Sequence, residues 1–412
     1  MKAEQTIMAS QETANYGGLG SGNDELQCAA PRHCGFSRFR QTIVAGQSRI
    51  CLALLLALFP VACSGPPPEP VKIGLSINLS GRGGSPGEHI RDGAMLAVME
   101  SNENGGINGR PLQLLVRDDE NSVEGVRRAD QGLIDEGVVA IIGHSFSDNT
   151  VNAYPLVTSQ NVLLLTGYTA TNQLSGKDDL FFRTSVDCIL YGKKTAALFR
   201  REGIESVAVL MDMANSGFSL DYVEQLRAHF VGTIREARFD SSGRIDWPAM
   251  ADALLVPAPD AVLLLTEVSM TGIAARTIRG RNYDGPLVAT TWAQAPGLLH
   301  YGGPAVEGMS LVTFIREDIA TPRYHAFAAR LQQEFGRPAS ARSARGYELV
   351  EVLVDALRRC ETISAAELKK QLAARPYQTV MGKLEFDRSG DVIRPIYEVV
   401  VENGRFRTRG EI

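Results

Sequence analysis

The chain has 412 residues, 44% of them hydrophobic and 22% charged. That balance belongs to a soluble globular protein with material for two domains, and it excludes a disordered or multispanning chain. The formal net charge of -5 excludes a nucleic-acid partner, because phosphate binding needs a concentrated excess of Lys and Arg.

Residues 1–47 carry no sustained hydrophobic period and no readable fold. Residues 50–62 form an almost unbroken apolar run behind Arg38, Arg40 and Arg49, ending at Cys63. A spanning helix needs about 20 apolar residues, so this run is too short to cross comfortably but suits the hydrophobic region of a secretory signal. With the small residues Ala62, Cys63, Ser64 and Gly65 it resembles a bacterial lipoprotein signal, whose cysteine becomes the lipid-modified first residue of the mature chain; Pro60 departs from the usual Leu. The expectation is an N-terminal extension and lipoprotein signal over 1–63, a lipid anchor at Cys63, and a Pro-rich tether over 64–70. A translation start nearer Val44 would leave a signal of ordinary length. The competing reading of the apolar run is a buried helix, against which Pro66, Pro67 and Pro68 follow at once.

From Val71 onward, short β-rich apolar runs alternate with amphipathic stretches, the pattern of a parallel sheet covered by helices. The spacing predicts a strand over 71–77, then a passage through Gly81, Gly83, Gly84 and Gly87 into a helix carrying Ile90, Ala94, Ala97 and Val98. Gly105, Gly106, Asn108 and Gly109 end that helix ahead of a strand over 112–116. Helix 123–136, strand 138–142, helix 149–160 and strand 162–166 complete the first series. A second series runs through helix 190–201, strand 206–211, helix 220–230, strand 233–239, helix 247–255, strand 261–266, helix 272–282 and strand 287–289. Two such series imply two doubly wound lobes whose strand ends open on a crevice. Helices over 324–335 and 343–359 follow outside the alternation, and by period alone they fit either lobe.

Enzyme chemistry finds no support in the motifs. Gly81 and Gly83 between a strand and a helix, with Asp118 ending the next strand, imitate a dinucleotide site, but the third glycine position holds Pro86 and the loop is too long. No nucleophile is paired with a base, and the six histidines lack a metal-binding spacing. His144 and Asp148 share a loop, yet two candidate ligands do not make a closed metal site, so His144 reads as a hydrogen-bonded loop residue. Beyond the anchor only Cys188 and Cys360 remain, without a metal spacing or a disulfide framework, although a bridge between them stays open. No catalytic residue, cofactor or metal is expected. The turn over 143–149 is the best-founded binding element: a helix start exposes unpaired N–H groups that can receive a carboxylate. Capping by Ser147 or Asp148 is the alternative reading of the same residues.

The stretches Val71-Lys-Ile-Gly-Leu, Gly105-Gly-Ile-Asn-Gly-Arg-Pro, Arg117-Asp-Asp-Glu, Val138-Val-Ala-Ile-Ile-Gly-His, Phe181-Phe-Arg-Thr and Val380-Met-Gly-Lys-Leu-Glu-Phe-Asp occur in that order. In order and spacing the chain resembles the branched-chain amino-acid binding proteins, which are type I periplasmic binding proteins, from Val71 to about Asn403. The resemblance implies an α/β fold of two doubly wound, Rossmann-like lobes joined by a three-crossover hinge. Residues 71–189 plus 315–378 would form lobe I, and 190–314 plus 379–412 lobe II. It also implies an extracytoplasmic solute-binding protein of an ABC-type importer, capturing an amino acid, amide or similar small polar metabolite between closing lobes and delivering it to a membrane permease. A ligand-sensing receptor subunit on the same lobes is the alternative.

By the same resemblance Ser147 would hold the ligand carboxylate, and Tyr168 would present a backbone carbonyl to the ammonium. Ala170 stands where the family has a Thr hydroxyl, unless Thr169 or Thr171 replaces it. Glu267 falls at an aromatic position that covers the ligand, and Thr291, beside Trp292, at the acid that pairs with the ammonium. Pro86 and Ser216 replace two further aromatics, and Asn121 and Phe146 replace a cysteine pair. The candidate site is therefore Ser147, Tyr168, Thr169, Glu267, Thr291 and Trp292, closing on a zwitterionic or cationic ligand with Glu267 as its cation partner. Asp148 adds negative charge beside Ser147, which argues against an ordinary branched-chain amino acid.

Overall fold

A computed structural model describes residues 68–80, 84–316 and 318–412. The N-terminal extension, the apolar run, Cys63, Gly81 and Gly83 lie outside the described residues.

Five parallel strands make the first sheet: β1 (Val71–Ile77), β2 (Leu112–Asp118), β3 (Ala140–Gly143), β4 (Leu163–Thr166) and β5 (Phe181–Arg183), in the order β2-β1-β3-β4-β5. Its connecting helices are α1 (Gly84–Glu103), α2 (Val123–Asp135) and α3 (Ser147–Ser159). Strands buried on both faces read as continuous apolar runs, which is what β3 and β4 are. Helices α4 (Cys188–Arg201), α5 (Ser216–His229), α6 (Trp247–Leu255), α7 (Val268–Arg279) and α8 (Pro296–Gly302) serve the second sheet. That sheet contains β6 (Ser206–Asp212), β7 (Thr233–Phe239), β8 (Ala261–Leu265), β9 (Leu287–Thr290) and β10 (Ser310–Thr313) in the order β7-β6-β8-β9-β10. An antiparallel hairpin, β14 (Tyr397–Glu402) and β15 (Arg405–Glu411), extends it beside β10. Both parallel cores thus share one strand order, with a switch point between their first and third strands, where doubly wound sheets place their ligands.

Between β10 and β14 the chain forms α9 (Pro322–Phe335), α10 (Ala341–Arg359), α11 (Ala365–Leu372) and a small antiparallel sheet of β11 (Tyr377–Thr379), β12 (Gly382–Phe386) and β13 (Val392–Ile393). Period alone left the late helices unassigned. The structure packs Leu349, Val350 and Leu353 of α10 with Ile90 and Ala94 of α1 and with Ile73 and Leu165 of the first sheet. Glycines let α1 and α10 meet backbone to backbone. A Cβ on Gly93 would stand 1.9 Å from the Ser343 carbonyl oxygen, and one on Gly346 would stand 2.2 Å from that of Ile90.

Several helices start earlier than their apolar period suggests, because the first turn is set by caps and small residues that carry no hydrophobic signal. Helix α4 begins at Cys188 behind Asp187, whose side chain accepts from the Leu190 N–H at 2.9 Å. Helix α7 begins at Val268, four residues before the expected start, because Glu267 caps it. The boundary expected between 378 and 379 falls inside the paired strands β11 and β12. Tyr377, Leu384 and Phe386 pack together in the first sheet's core, and the chain joins the second sheet only at β14. Cys188 and Cys360 are free, buried thiols in different cores, Cys188 with the second sheet and Cys360 with the first.

Candidate functional site

Loops leaving the C-terminal ends of β3, β4, β6, β9 and β10 converge with the start of α10 on one cavity of about 40 Å³. Ser145, Tyr168 and Ala170 line it from the first sheet, and Tyr191, Asn215, Phe218, Thr291 and Trp292 from the second. Ser185 and Phe314 reach it from the connections between sheets, and Arg342 and Arg345 from α10. The aromatic wall is built edge to face: the Trp292 ring lies 5.6 Å from Phe218 and 5.9 Å from Phe146.

The two arginines dominate the electrostatics. A capping box fixes the start of α10, with the Ser343 N–H donating to the Ser340 hydroxyl at 3.3 Å and the Ser340 N–H donating to the Ser343 hydroxyl at 2.9 Å. Arg342 and Arg345 follow three residues apart on one face of the first turns. Cations there oppose the helix dipole, so this placement costs stability unless an anion balances it. Arg345 is only 5% exposed and donates to the Gly167 carbonyl. Its guanidinium lies 4.0 Å over the Tyr168 ring and 5.2 Å from the Phe314 ring. Burial lowers its pKa to about 10, which leaves it protonated at neutral pH. Arg342 donates to the Trp292 carbonyl at 3.2 Å, and burial lowers its pKa as well. The buried Nε of each lacks a hydrogen-bond partner, and neither guanidinium has a carboxylate within ion-pair distance among the described residues.

Of the residues singled out from sequence, Tyr168, Thr291 and Trp292 line the cavity. The Tyr168 hydroxyl donates to the Arg342 carbonyl at 3.2 Å, and burial raises its pKa to about 12, so the ring stays neutral. The Thr291 hydroxyl is paired with that of Tyr191 at 2.6 Å. Thr169 stands behind the wall, its buried hydroxyl paired with Thr150. Ser147 is buried too. Its hydroxyl accepts from the Ala170 N–H at 3.2 Å, while its own N–H donates to the Asn215 side-chain oxygen at 3.0 Å. The helix start expected to take a ligand carboxylate is therefore engaged by a side chain from the second sheet. Beside it, Asp148 accepts from the Gly217 N–H at 2.8 Å and the Ser216 hydroxyl at 3.1 Å, capping α5 from across the cleft. Gly217 permits this approach, since a Cβ there would lie 2.4 Å from the Asp148 carboxylate.

Glu267 does not line the cavity. Its carboxylate accepts from the Met270 N–H at 2.9 Å and from the Ser269 hydroxyl, capping α7, and only its longer-range field reaches Arg342. The expected cation partner is thus a helix cap, and the lining is cationic where the sequence reading anticipated an acid. His144 and Asp148 do not converge either, because His144 pairs with Asp130 at 3.2 Å inside the first lobe core. Burial opposes its charged form, but Asp130, with Asp119 beyond, outweighs burial and raises the His144 pKa. Arg342 and Arg345 escaped sequence reasoning. Their available signal was two cations in the opening turns of a helix, against the dipole.

Among curated proteins, a Leu/Ile/Val-binding protein homolog 2 from Brucella abortus is 28% identical over 368 residues, covering 84% of this chain and 93% of its own length. Leucine binding protein LivK from Thermotoga maritima superposes with a TM-score of 0.76 at 23% identity, covering 83% of this chain and 98% of that one. An ABC transporter solute binding protein from R. palustris, solved with benzoate, superposes with a TM-score of 0.74 at 17% identity, covering 83% and 96%. The shared fold agrees with the two sheets and their repeated strand order. Since residues 70–405 match the family described as periplasmic binding protein, the chain belongs to that family.

Proposed function

We propose that this chain is the solute-capturing component of an ABC-type importer, holding a small carboxylate between two lobes and delivering it to a membrane permease without chemically changing it. The first lobe comprises β1–β5, α1–α3, α9–α11 and β11–β13, and the second comprises β6–β10, α4–α8, β14 and β15. One observation carries the ligand class: among the described residues, two guanidinium groups without a carboxylate partner face a cavity whose lining holds no acidic residue. A buried charge is costly alone, and a bidentate carboxylate supplies both the counter-charge and the hydrogen bonds. The unpartnered, buried Ser145 hydroxyl on the cavity wall offers a further donor. Family membership supports an extracytoplasmic location. Anchoring through a lipid on Cys63, with residues 64–70 as tether, belongs to the same proposal.

The test is a thermal-shift screen of the purified chain against small carboxylates, amides and polyamines. A ligand at 100 times its Kd adds about 2.7 kcal/mol to native-state stability. Carboxylates should raise the melting temperature and polyamines should not; the reverse pattern removes the proposal. For the anchor, mass spectrometry of protein expressed in a bacterium should find a lipid-modified mature start at Cys63, lost in Cys63→Ala, and an unmodified start elsewhere ends that part.

A further inference from the structure

We infer that the captured carboxylate has a flat, apolar body and no ammonium group, so that the cavity selects against amino acids. This rests on the solute-capture reading above and deepens it. An α-ammonium needs a carboxylate or a cluster of free acceptors within reach, and among the described residues the cavity lining offers neither.

Four acids on the surrounding elements are committed to the protein's own groups. Glu267 caps α7 through Met270 and Ser269. Asp148 caps α5 through Ser216 and Gly217. Asp221 accepts from the Asn172 N–H at 2.7 Å and from the Thr171 hydroxyl. Glu348, one turn beyond Arg345, is held by Arg394 at 2.8 Å. An ammonium in the cavity would instead face two guanidinium charges, and like-charge juxtaposition disfavours that ligand. The Ser147 N–H, at the helix start where an amino-acid carboxylate was expected, is taken by Asn215.

What remains is an anion site with aromatic walls. Arg342 and Arg345 share one helix face and converge on the cavity, which suits one carboxylate held from two sides. Around them stand Tyr168, Tyr191, Phe218, Trp292 and Phe314, five aromatic rings among twelve lining residues. Rings this dense offer edge-to-face and stacked contacts to a flat apolar body. The cavity, at about 40 Å³, is well below the range for small-molecule pockets, about 300–1,000 Å³. The ligand body is therefore small.

Matched pairs isolate the ammonium. Titration calorimetry on the purified full chain would compare 3-phenylpropanoate with L-phenylalanine and 4-methylpentanoate with L-leucine, with benzoate alongside. The amino-free member of each pair should bind at least tenfold more tightly, and benzoate should bind. Arg345→Met should weaken every bound carboxylate at least tenfold, with Arg345→Lys restoring part of the loss; if Arg345→Met does not fold, Arg342→Met carries the same comparison. If L-leucine or L-phenylalanine binds as tightly as its amino-free partner and the arginine variant weakens both, this inference is overturned while the carboxylate reading stands. If no carboxylate binds, or a folded arginine variant binds like the parent chain, both are overturned.

Discussion

Glu348 offers the sharpest test of how the lobes are joined. Its fully buried carboxylate accepts from Arg394 at 2.8 and 3.1 Å and from the Thr379 hydroxyl at 2.6 Å. Arg394 also donates to the Thr184 carbonyl at 3.2 Å and sits 5.2 Å from the Phe314 ring. Thr184, Phe314 and Arg394 belong to the three connections between the sheets, so one ion pair fastens all three. Replacing Glu348 with Met strands the Arg394 charge, and breaking a buried pair from one side costs about 3–5 kcal/mol. Because Arg394 keeps the Thr184 carbonyl and the Phe314 ring, the loss should fall near the lower end, about 3 kcal/mol. At roughly 2 °C per kcal/mol for a chain of this size, the melting temperature should drop by about 6 °C. Arg394→Met should lose a similar amount, whereas the double variant, with neither charge, should recover most of it. Circular-dichroism melts of the four proteins give the coupling energy, expected at about 2 kcal/mol or more. A double variant that loses the sum of the single losses would refute the pair as a joint.

Two further outcomes follow from the site. Asp148→Ala removes the carboxylate that caps α5 across the cleft; the closed form should lose about 1.5–3 kcal/mol, which small-angle scattering would register as a larger radius of gyration, and an unchanged profile contradicts the bridging role. For His144, the raised folded-state pKa means that its stabilising contribution is complete below the unfolded value of about 6.5 and is lost as pH rises through the folded value. Between pH 6 and 8.5 the parent chain's melting temperature should therefore fall relative to that of His144→Asn, and parallel profiles would count against the imidazolium pair.

The parallel cores were legible because buried strands and amphipathic helices write their periods directly. Ile90, Ala94 and Val98 turn the expected face of α1 to the core, and the apolar runs of β1, β3 and β8 lie where alternation placed them. Short elements were not legible: β5 has three residues and β13 two, too few for a period to register. The site divided along similar lines. Tyr168, Thr291 and Trp292 follow strand ends, and strand ends can be counted from sequence. Arg342 and Arg345 lie far along the chain on a helix whose charges read as a solvated face, and the packing of α10 on α1 and the first sheet brings them to the cleft. Glu267 misled because its position, just after a strand, suits a ligand contact and a helix cap equally well.

The two free thiols have a use that follows from where they sit. Cys188 lies in the core of the second sheet and Cys360 in that of the first, and burial raises the pKa of both, so neither presents the reactive thiolate while its surroundings are intact. Each core therefore carries its own built-in chemical clock, started only when that half opens. Alkylation timed in mild denaturant, with the two sites resolved by peptide mapping, distinguishes a protein whose halves come apart as one cooperative unit from one whose halves open in sequence.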